Sequence, residues 1–168
     1  NTAMFENQIT QDNIAKLKKY GIGVVEPQNG LLACGDTGAG KMPEPDFLFD
    51  VIEREIAREK DMLGKKVLVT AGATMESLDP VRFLTNHSSG KMGFAIAKEA
   101  MLRGAEVTVV KANTTAEIPN FVKIVEVSSA KDMFDAVTAL SDQQDIIVKA
   151  AAVADYTPES YVDSKIKK

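Results

Sequence analysis

Apolar positions in the second part of the chain alternate between short continuous runs and helical spacing. The runs, rich in valine and isoleucine, predict strands at residues 66–70, 106–111, 122–127 and 145–150. Helical spacing predicts helices at residues 89–103 and 130–140, the first ended by Gly104 and the second capped by Ser128 or Ser129. Strands that alternate with helices predict an α/β fold, here a three-layer, Rossmann-like, doubly wound parallel sheet.

The first part of the chain has a weaker pattern. Helical spacing begins after Thr10 and stops at Gly21, and Val24 and Val25 then predict a brief strand. Residues 30–45 are rich in glycine and proline, which predicts a loop.

Helical spacing returns at residues 47–62, and its charged end leads into a linker. We therefore place a domain boundary near Gly64, which divides the chain into residues 1–63 and 64–168. Because the first of these parts has too few strands to enclose a core, we expect it to be a piece of a larger domain.

The composition indicates a globular protein with small partners. The 168 residues are 45% hydrophobic and 26% charged, and a net charge of -4 argues against nucleic-acid binding by bulk charge. One cysteine, Cys34, excludes an internal disulfide framework and fits a reducing cytosol. There is no apolar run of roughly 18 residues and no signal-peptide pattern, so we expect a cytoplasmic protein without a membrane partner.

The segment between the first predicted strand and its helix predicts a ligand site. Gly72 ends the strand, and a long polar loop leads to Ser88, Ser89, Gly90 and Lys91, where unpaired helix amides favour an anion. The alternative is an ordinary serine-capped helix start with the lysine in water. Since the loop leaves the carboxyl end of a strand, it lies where open α/β sheets bind ligands.

Other candidate residues follow the same predicted edge. Asn86 can donate a hydrogen bond to a developing oxyanion, whereas the neighbouring His87 has no visible partner. Behind the last strand, small residues allow close approach to a ligand, or simply tight packing, and Asp155 offers a carboxylate. The basic residues Lys165, Lys167 and Lys168 suit phosphate, although a lysine run alone is usually a solvated surface.

A glycine-rich stretch, GDTGAGKM at residues 35–42, nearly matches a phosphate-binding P-loop. Met42 stands where a serine or threonine is required, and Pro43 and Pro45 oppose the helix that should follow, so we reject a P-loop. Cys34, just before this stretch, is either an exposed thiol that acts as a general acid or a small buried hydrophobe.

The chain resembles the bifunctional coenzyme A biosynthesis flavoproteins. VTAGAT, ESLDPVRFLTNHSSGKMG, AAAVADY and KIKK, within residues 65–168, follow the order and spacing of the phosphopantothenate–cysteine ligase half. NTAM and ACGD, in the first part, resemble the end of the phosphopantothenoylcysteine decarboxylase half. The resemblance therefore implies that the chain contains the end of the decarboxylase half and about the first half of the ligase half.

The resemblance implies a ligase that activates 4'-phosphopantothenate with CTP and magnesium, through an acyl-cytidylate that cysteine then attacks. Asn86 would orient the acyl carbonyl and Lys165 would offset triphosphate charge. The remaining implied nucleotide and phosphate contacts are Gly72, Ser89, Gly90, Lys91, Lys149, Ala150, Ala151 and Asp155. No residue is assigned as a magnesium ligand.

For the decarboxylase half, the resemblance implies that Asn1 contacts the substrate and that Cys34 donates a proton. Its FMN site would lie mostly outside this chain. The family also implies homo-oligomers, with a ligase dimer and a trimer-based decarboxylase.

Two other functions remain open from the residues. An NADP-type Rossmann oxidoreductase fits the strand and helix pattern, but it predicts a tight glycine-rich first turn and an acidic residue near Lys111, where the second strand ends. A non-catalytic regulatory fragment is the second alternative.

Overall fold

The computed structural model describes residues 1–166 and separates the chain into two compact units, Asn1–Val51 and Ile52–Lys168. The first unit opens with two helices, α1 (Thr2–Phe5) and α2 (Gln8–Lys19), followed by the strands β1 (Gln28–Leu31) and β2 (Thr37–Lys41). Helix α3 (Pro45–Ile56) runs across the division between the units.

The second unit holds the remaining elements. They are β3 (Lys66–Ala71), β4 (Met75–Ser77), β5 (Phe83–Thr85), α4 (Lys91–Leu102), β6 (Glu106–Lys111), β7 (Lys123–Glu126), α5 (Ala130–Ser141) and β8 (Ile146–Lys149). Four of the strands form a parallel sheet in the order β7-β6-β3-β8. The strand order reverses between β3 and β8, which is the arrangement of a doubly wound sheet. The predicted fold class is confirmed.

Strand β3 is the centre of the core because both of its faces are covered. Val67 and Val69 pack in a cluster with Phe94 of α4, whereas the intervening Leu68 packs with Met133 of α5. Side chains along a strand alternate between its faces, so α4 and α5 cover opposite sides of the sheet. The unit therefore has three layers, helix, sheet and helix.

Helix α4 packs unusually closely on β3. A Cβ added at Gly93 would lie 2.7 Å from the Cβ of Ala71 and 3.0 Å from the Thr70 carbonyl oxygen. Only glycine permits this spacing.

The glycine-rich segment of the first unit is a hairpin, so the predicted loop is wrong. Strands β1 and β2 pair antiparallel, and a Cβ at Gly40 would lie 3.1 Å from the backbone of Asn1. The glycines therefore admit the N-terminal residues against the hairpin, a long-range contact that local composition does not reveal.

The first helix and the brief strand also differ from prediction. Helix α2 is capped by Asn7, whose Oδ1 accepts from the Ile9 amide at 3.0 Å, and not by Thr10. Val24 and Val25 lie in a stretch without a strand. Helix α3 begins at Pro45. Proline is tolerated there because the N–H groups in the first turn of a helix have no partner within the helix.

Two helix ends of the second unit match the sequence expectation and one differs. Gly104 follows α4 at φ 92°, and Ser129 caps α5 in a capping box with Asp132. Helix α4, however, has Gly90 as its N-cap, at φ 78°, so no serine occupies the cap position, and the Lys91 amide instead has a long contact of 3.5 Å with Ser89 Oγ. The segment before it contains the hairpin β4–β5 in place of a continuous loop.

Among residues 1–166, no helix is long and apolar enough to cross a membrane.

Candidate functional site

Backbone hydrogen bonds join the segments that leave β3, β6 and β8. The Ala73 amide donates to the Asn113 oxygen at 2.8 Å, and the Asn113 amide returns a bond at 3.1 Å. On the other side, the Ala152 amide donates to the Gly72 oxygen at 2.8 Å and the Thr74 amide to the Ala152 oxygen at 3.2 Å. The carboxyl edge of the sheet is therefore one connected platform, at the position where doubly wound folds bind ligands.

Two buried threonines fix the segment after β8. The Thr70 hydroxyl oxygen accepts from the amides of Ala150 and Ala151, each at 3.1 Å. The Thr74 hydroxyl oxygen accepts from the Ala154 amide at 2.8 Å. Ala150 and Ala151 are thus brought to the edge as expected, but their amides already have partners within the protein.

Asn86 lies directly beside this segment. Its Nδ2 is 3.1 Å from the Val153 carbonyl oxygen, while the preceding Thr85 hydroxyl donates to the Thr74 carbonyl at 2.7 Å. Asn86 is exposed, as is His87. The structure therefore brings together two motifs, around residues 86 and 150–155, that are far apart in sequence.

The predicted anion-binding turn lies on the other side of the platform. A Cβ at Gly90 would lie 3.2 Å from the Gly72 amide nitrogen and 2.6 Å from the Thr114 hydroxyl oxygen. That hydroxyl donates to the Ser89 carbonyl at 2.6 Å, which fixes the chain just before α4. Lys91 is exposed at the first position of the 12-residue helix. The two predicted glycines, 72 and 90, are neighbours in space.

An ion pair between the buried Asp79 and the exposed Arg82 lies in the turn between β4 and β5. The Asp79 carboxylate accepts from the Arg82 guanidinium, with Oδ2 to Nη2 at 2.6 Å and to Nε at 2.9 Å. The guanidinium and the backbone amides of Val81, Ile166 and Arg82 hold the pKa of Asp79 far below its usual range. Asp79 is 3% exposed and is ionised at any physiological pH.

Sequence reasoning did not select Asp79 or Arg82. An aspartate three residues before an arginine is a signal for a local ion pair, but spacing alone does not reveal that the carboxylate is buried. The threonines at positions 70, 74 and 114 were missed for a similar reason: their partners lie on other strands or loops.

The charged candidates at positions 149, 155 and 165 are exposed, and Lys167 and Lys168 lie outside the described residues. Asp155 makes no hydrogen bond or ion pair with another residue of the described chain. Glu76, by contrast, is buried and accepts from the Ala130 amide at 2.8 Å. Of the acids near this edge, Asp155 is thus better placed than Glu76 or Asp79 to meet a solvated cation.

No group of three or more acidic, cysteine or histidine side chains that could hold a metal ion occurs within residues 1–166. Magnesium typically keeps several waters and binds through one or two carboxylates plus substrate phosphates. An exposed carboxylate such as Asp155 fits that mode of binding.

In the first unit, Asn1 and Cys34 line one cavity of about 350 Å³. Cys34 is exposed, so of the two alternatives for this residue the structure supports the accessible thiol. Its Sγ lies 3.6 Å from the Asp36 carboxylate, in contact range for a weak thiol donor. Asn1 also caps α1, with its Oδ1 accepting from the Met4 amide at 3.3 Å.

Comparison with known families identifies the class of protein. Residues 62–168 match the model described as "DNA/pantothenate metabolism flavoprotein C-terminal domain", and residues 1–57 match the Flavoprotein family. The chain belongs to the DNA/pantothenate metabolism flavoprotein family.

Two curated relatives from different organisms carry the same name. The chain is 45% identical to the "Coenzyme A biosynthesis bifunctional protein CoaBC" of Vibrio vulnificus (strain YJ016), over 100% of this chain and 42% of that protein. It is 44% identical to CoaBC of Mycobacterium bovis, over 99% of this chain and 41% of that protein. The chain thus spans about two-fifths of the length of these relatives. The relatives do not favour an oxidoreductase.

Solved structures support the fold. The crystal structure of the C-terminal domain of a CoaBC protein is 50% identical, has a TM-score of 0.56, and is matched over 59% of this chain and 50% of that chain. The DNA/pantothenate metabolism flavoprotein from Streptococcus pneumoniae is 31% identical with a TM-score of 0.54, over 56% and 42% of the two chains.

Proposed function

We propose that the second unit contributes to a CTP-dependent phosphopantothenate–cysteine ligase, in a protein that also decarboxylates 4'-phosphopantothenoylcysteine. The main support is the convergence of Asn86 with the segment after β8, at a Val153 contact of 3.1 Å. That contact places an amide donor at the carboxyl edge of the sheet, where a nucleotide would bind.

In the first step of this reaction, a phosphopantothenate carboxylate oxygen attacks the α-phosphorus of CTP and pyrophosphate leaves. The positive charge of Lys165 would offset the charge of the triphosphate. The exposed Asp155 would bind a cytidine hydroxyl or hydrated magnesium, and Lys149 and the carbonyl groups of Ala150 and Ala151 would contact the nucleotide. Since the amides of these alanines bond to Thr70, they would contribute shape more than hydrogen bonds.

In the second step, the cysteine amine attacks the acyl carbonyl, loses a proton, and displaces CMP. The Asn86 Nδ2 lies 3.1 Å from the Val153 carbonyl oxygen and 3.5 Å from that of Ala152, and in the reaction the N–H with the longer contact would turn to the acyl carbonyl oxygen as it gains charge. A donor of this kind is commonly worth about 3 kcal/mol in the barrier. The start of α4, with Ser89, Gly90 and Lys91, would hold phosphate or acyl-phosphate oxygens.

For the first unit we propose the decarboxylase role. Asn1 and Cys34 line the same cavity, as a substrate contact and a proton donor require. FMN, when bound, supplies reversible oxidation of the substrate, and its site would lie mostly outside this chain. Dimeric and trimer-based assembly, and cytoplasmic location, remain predictions.

A step-resolved assay tests the ligase. The full-length protein is supplied with CTP, magnesium and phosphopantothenate, and pyrophosphate release is measured before and after cysteine is added. Asn86→Asp should release pyrophosphate yet accumulate acyl-cytidylate, because a carboxylate cannot donate to the carbonyl. Turnover without accumulation would reject this role.

Lys165→Gln tests the activation step in the same assay. We expect slower pyrophosphate release, since the substitution removes a charge from the triphosphate site. Lys123→Gln is the matched control, because Lys123 pairs with Glu106 at the opposite, amino edge of the sheet. Equal release by the two variants would remove Lys165 from the mechanism, and no release by the wild-type protein would refute the proposed ligase.

A further inference from the structure

The turn between β4 and β5 holds the segment that carries Lys165. Ile166 is bound at both of its backbone polar groups: its amide donates to Asp79 Oδ2 at 3.1 Å, and its carbonyl oxygen accepts from Arg82 Nη2 at 3.0 Å. A third contact precedes them, from the Val162 amide to the Leu78 carbonyl oxygen at 3.1 Å. Three hydrogen bonds thus tie the backbone of residues 162–166 to one turn, two of them through the side chains of Asp79 and Arg82.

Asp79 is the centre of this arrangement. Besides Ile166 and the guanidinium, its carboxylate accepts from the Val81 and Arg82 amides, each at 2.8 Å. The side chain is buried and its charge is balanced by Arg82. Because the carboxylate is already fixed by the turn, binding Ile166 requires little further ordering of the acceptor.

The same hairpin leads directly to the candidate site. Thr85 at the end of β5 bonds to the Thr74 carbonyl, and Asn86 follows at once. Strands β4 and β5 are three residues each, so the turn lies within roughly 10 Å of that end at about 3.4 Å per residue. Residues 162–166 are therefore held within reach of the carboxyl edge.

We propose that Asp79 is a positioning residue, which holds the Lys165 segment at the nucleotide site by binding Ile166 together with Arg82. The role of Lys165 rests on the proposed function, whereas the binding of the segment by Asp79 does not.

Hydrogen exchange of the full-length protein tests the binding of the segment without any ligand. In Asp79→Asn the amides of Val162 and Ile166 should exchange roughly tenfold faster, as expected for loss of a charged hydrogen-bond network. Unchanged exchange at the core residue Val69 shows that the variant is folded. Unchanged exchange at both segment amides would overturn the proposal.

Asp61→Asn is the matched control, because Asp61 also pairs with an arginine, with its Oδ1 2.8 Å from Arg103 Nε. This pair joins the chain before β3 to the end of α4, at the amino edge of the sheet. The control should leave exchange in residues 162–166 at the wild-type rate. An equal acceleration in both variants would show general loosening and overturn the assignment to Asp79.

Ile166→Pro removes the N–H from which Asp79 accepts and changes no residue of the turn, although it also restricts the backbone at positions 165 and 166. It should also accelerate exchange at Val162, so the proposal remains testable if Asp79→Asn does not fold. Wild-type exchange at Val162 in Ile166→Pro would count against it.

Pyrophosphate release at limiting CTP provides the functional readout. It should fall by about tenfold in Asp79→Asn, with a higher KM for CTP, and remain normal in Asp61→Asn. Faster exchange with undiminished release would overturn the positioning role. If the wild-type protein released no pyrophosphate, the proposed function would fail, and the exchange data alone would still decide whether Asp79 holds the segment.

Discussion

The hydroxyl oxygen of Thr70 accepts hydrogen bonds from two consecutive amides, of which that of Ala151 lies at 3.1 Å. Thr70 is at the end of the central strand and Ala151 follows the neighbouring strand, β8. The contact aligns the exits of the two strands between which the sheet reverses, and so it sets the shape of the edge where we place the nucleotide.

Thr70→Val is expected to lower the free energy of unfolding by about 1–3 kcal/mol, because it leaves amides of Ala150 and Ala151 without their acceptor at nearly constant side-chain volume. Denaturant unfolding measures the change. Thr70→Ser keeps the oxygen and should retain most of the stability. If Thr70→Val lost no stability, the two hydrogen bonds would not account for the role of Thr70, and an equal loss in Thr70→Ser would show that the methyl group, which valine keeps, also contributes.

Gly90→Ala should destabilise more than Gly64→Ala, although both glycines have φ 78°. The left-handed conformation costs a side chain about 1–2 kcal/mol at either position. Only at Gly90 does the new Cβ also meet the Thr114 hydroxyl and the Gly72 amide, whereas nothing lies within 4 Å at Gly64. Unfolding free energies check the order, and equal losses would contradict the close approach. Gly90→Ala should also weaken CTP binding, measured by calorimetry.

The carboxylate of Asp132 should make a contribution to the free energy of unfolding that depends on pH. Its pKa lies below the usual value, chiefly because the Ser129 amide donates to the carboxylate at 2.9 Å. A lowered folded-state pKa gives stability that is present above about pH 4 and lost as the pH falls through the folded-state value. The gap in unfolding free energy between wild type and Asp132→Asn should therefore be widest near neutral pH and narrow in acid.

Asp142→Asn provides the control on the same helix. Asp142 is the C-cap of α5, where a negative charge opposes the helix dipole, so its removal should stabilise slightly. A constant gap for Asp132→Asn between neutral and acid pH would contradict the role of the capping carboxylate.

Cys34→Ser should lower release of carbon dioxide from 4'-phosphopantothenoylcysteine by the full-length protein, because a hydroxyl is a much weaker acid than a thiol. CTP-dependent pyrophosphate release should be unaffected. The control is Cys34→Ala, which removes the proton donor altogether and should lose at least as much decarboxylation. Normal carbon dioxide release by both variants would exclude Cys34 as the proton donor.

The sequence was sufficient to predict the parallel sheet because β3 and β6 are buried on both faces and consist mainly of apolar or β-branched residues. It also predicted the glycine after α4 and the serine cap of α5, since these signals are local. The hairpin β1–β2 was missed because its glycines are required by contact with distant residues, and composition alone favoured a loop.

Within the candidate site, the sequence placed Asn86 and the segment around Ala151 at one edge, because parallel strands share their carboxyl ends. It did not reveal Asp79, whose importance depends on burial and on a hydrogen bond to Ile166, 87 positions away. Nor did it reveal that Thr70 occupies the Ala151 amide. Side chains that accept hydrogen bonds from the backbone of another element do not recur at helix or strand spacing, so the sequence pattern does not identify them.

The close packing at Gly93 limits which residues this family can accept at the start of α4. Because an added Cβ would lie 2.7 Å from that of Ala71, a single methyl group would push the start of α4 away from the sheet. Gly90, the N-cap of this helix, would move with it and would leave its close approach to Gly72. If the start of α4 binds an anion as we propose, the geometry of that site depends on Gly93, a residue outside the proposed ligand contacts.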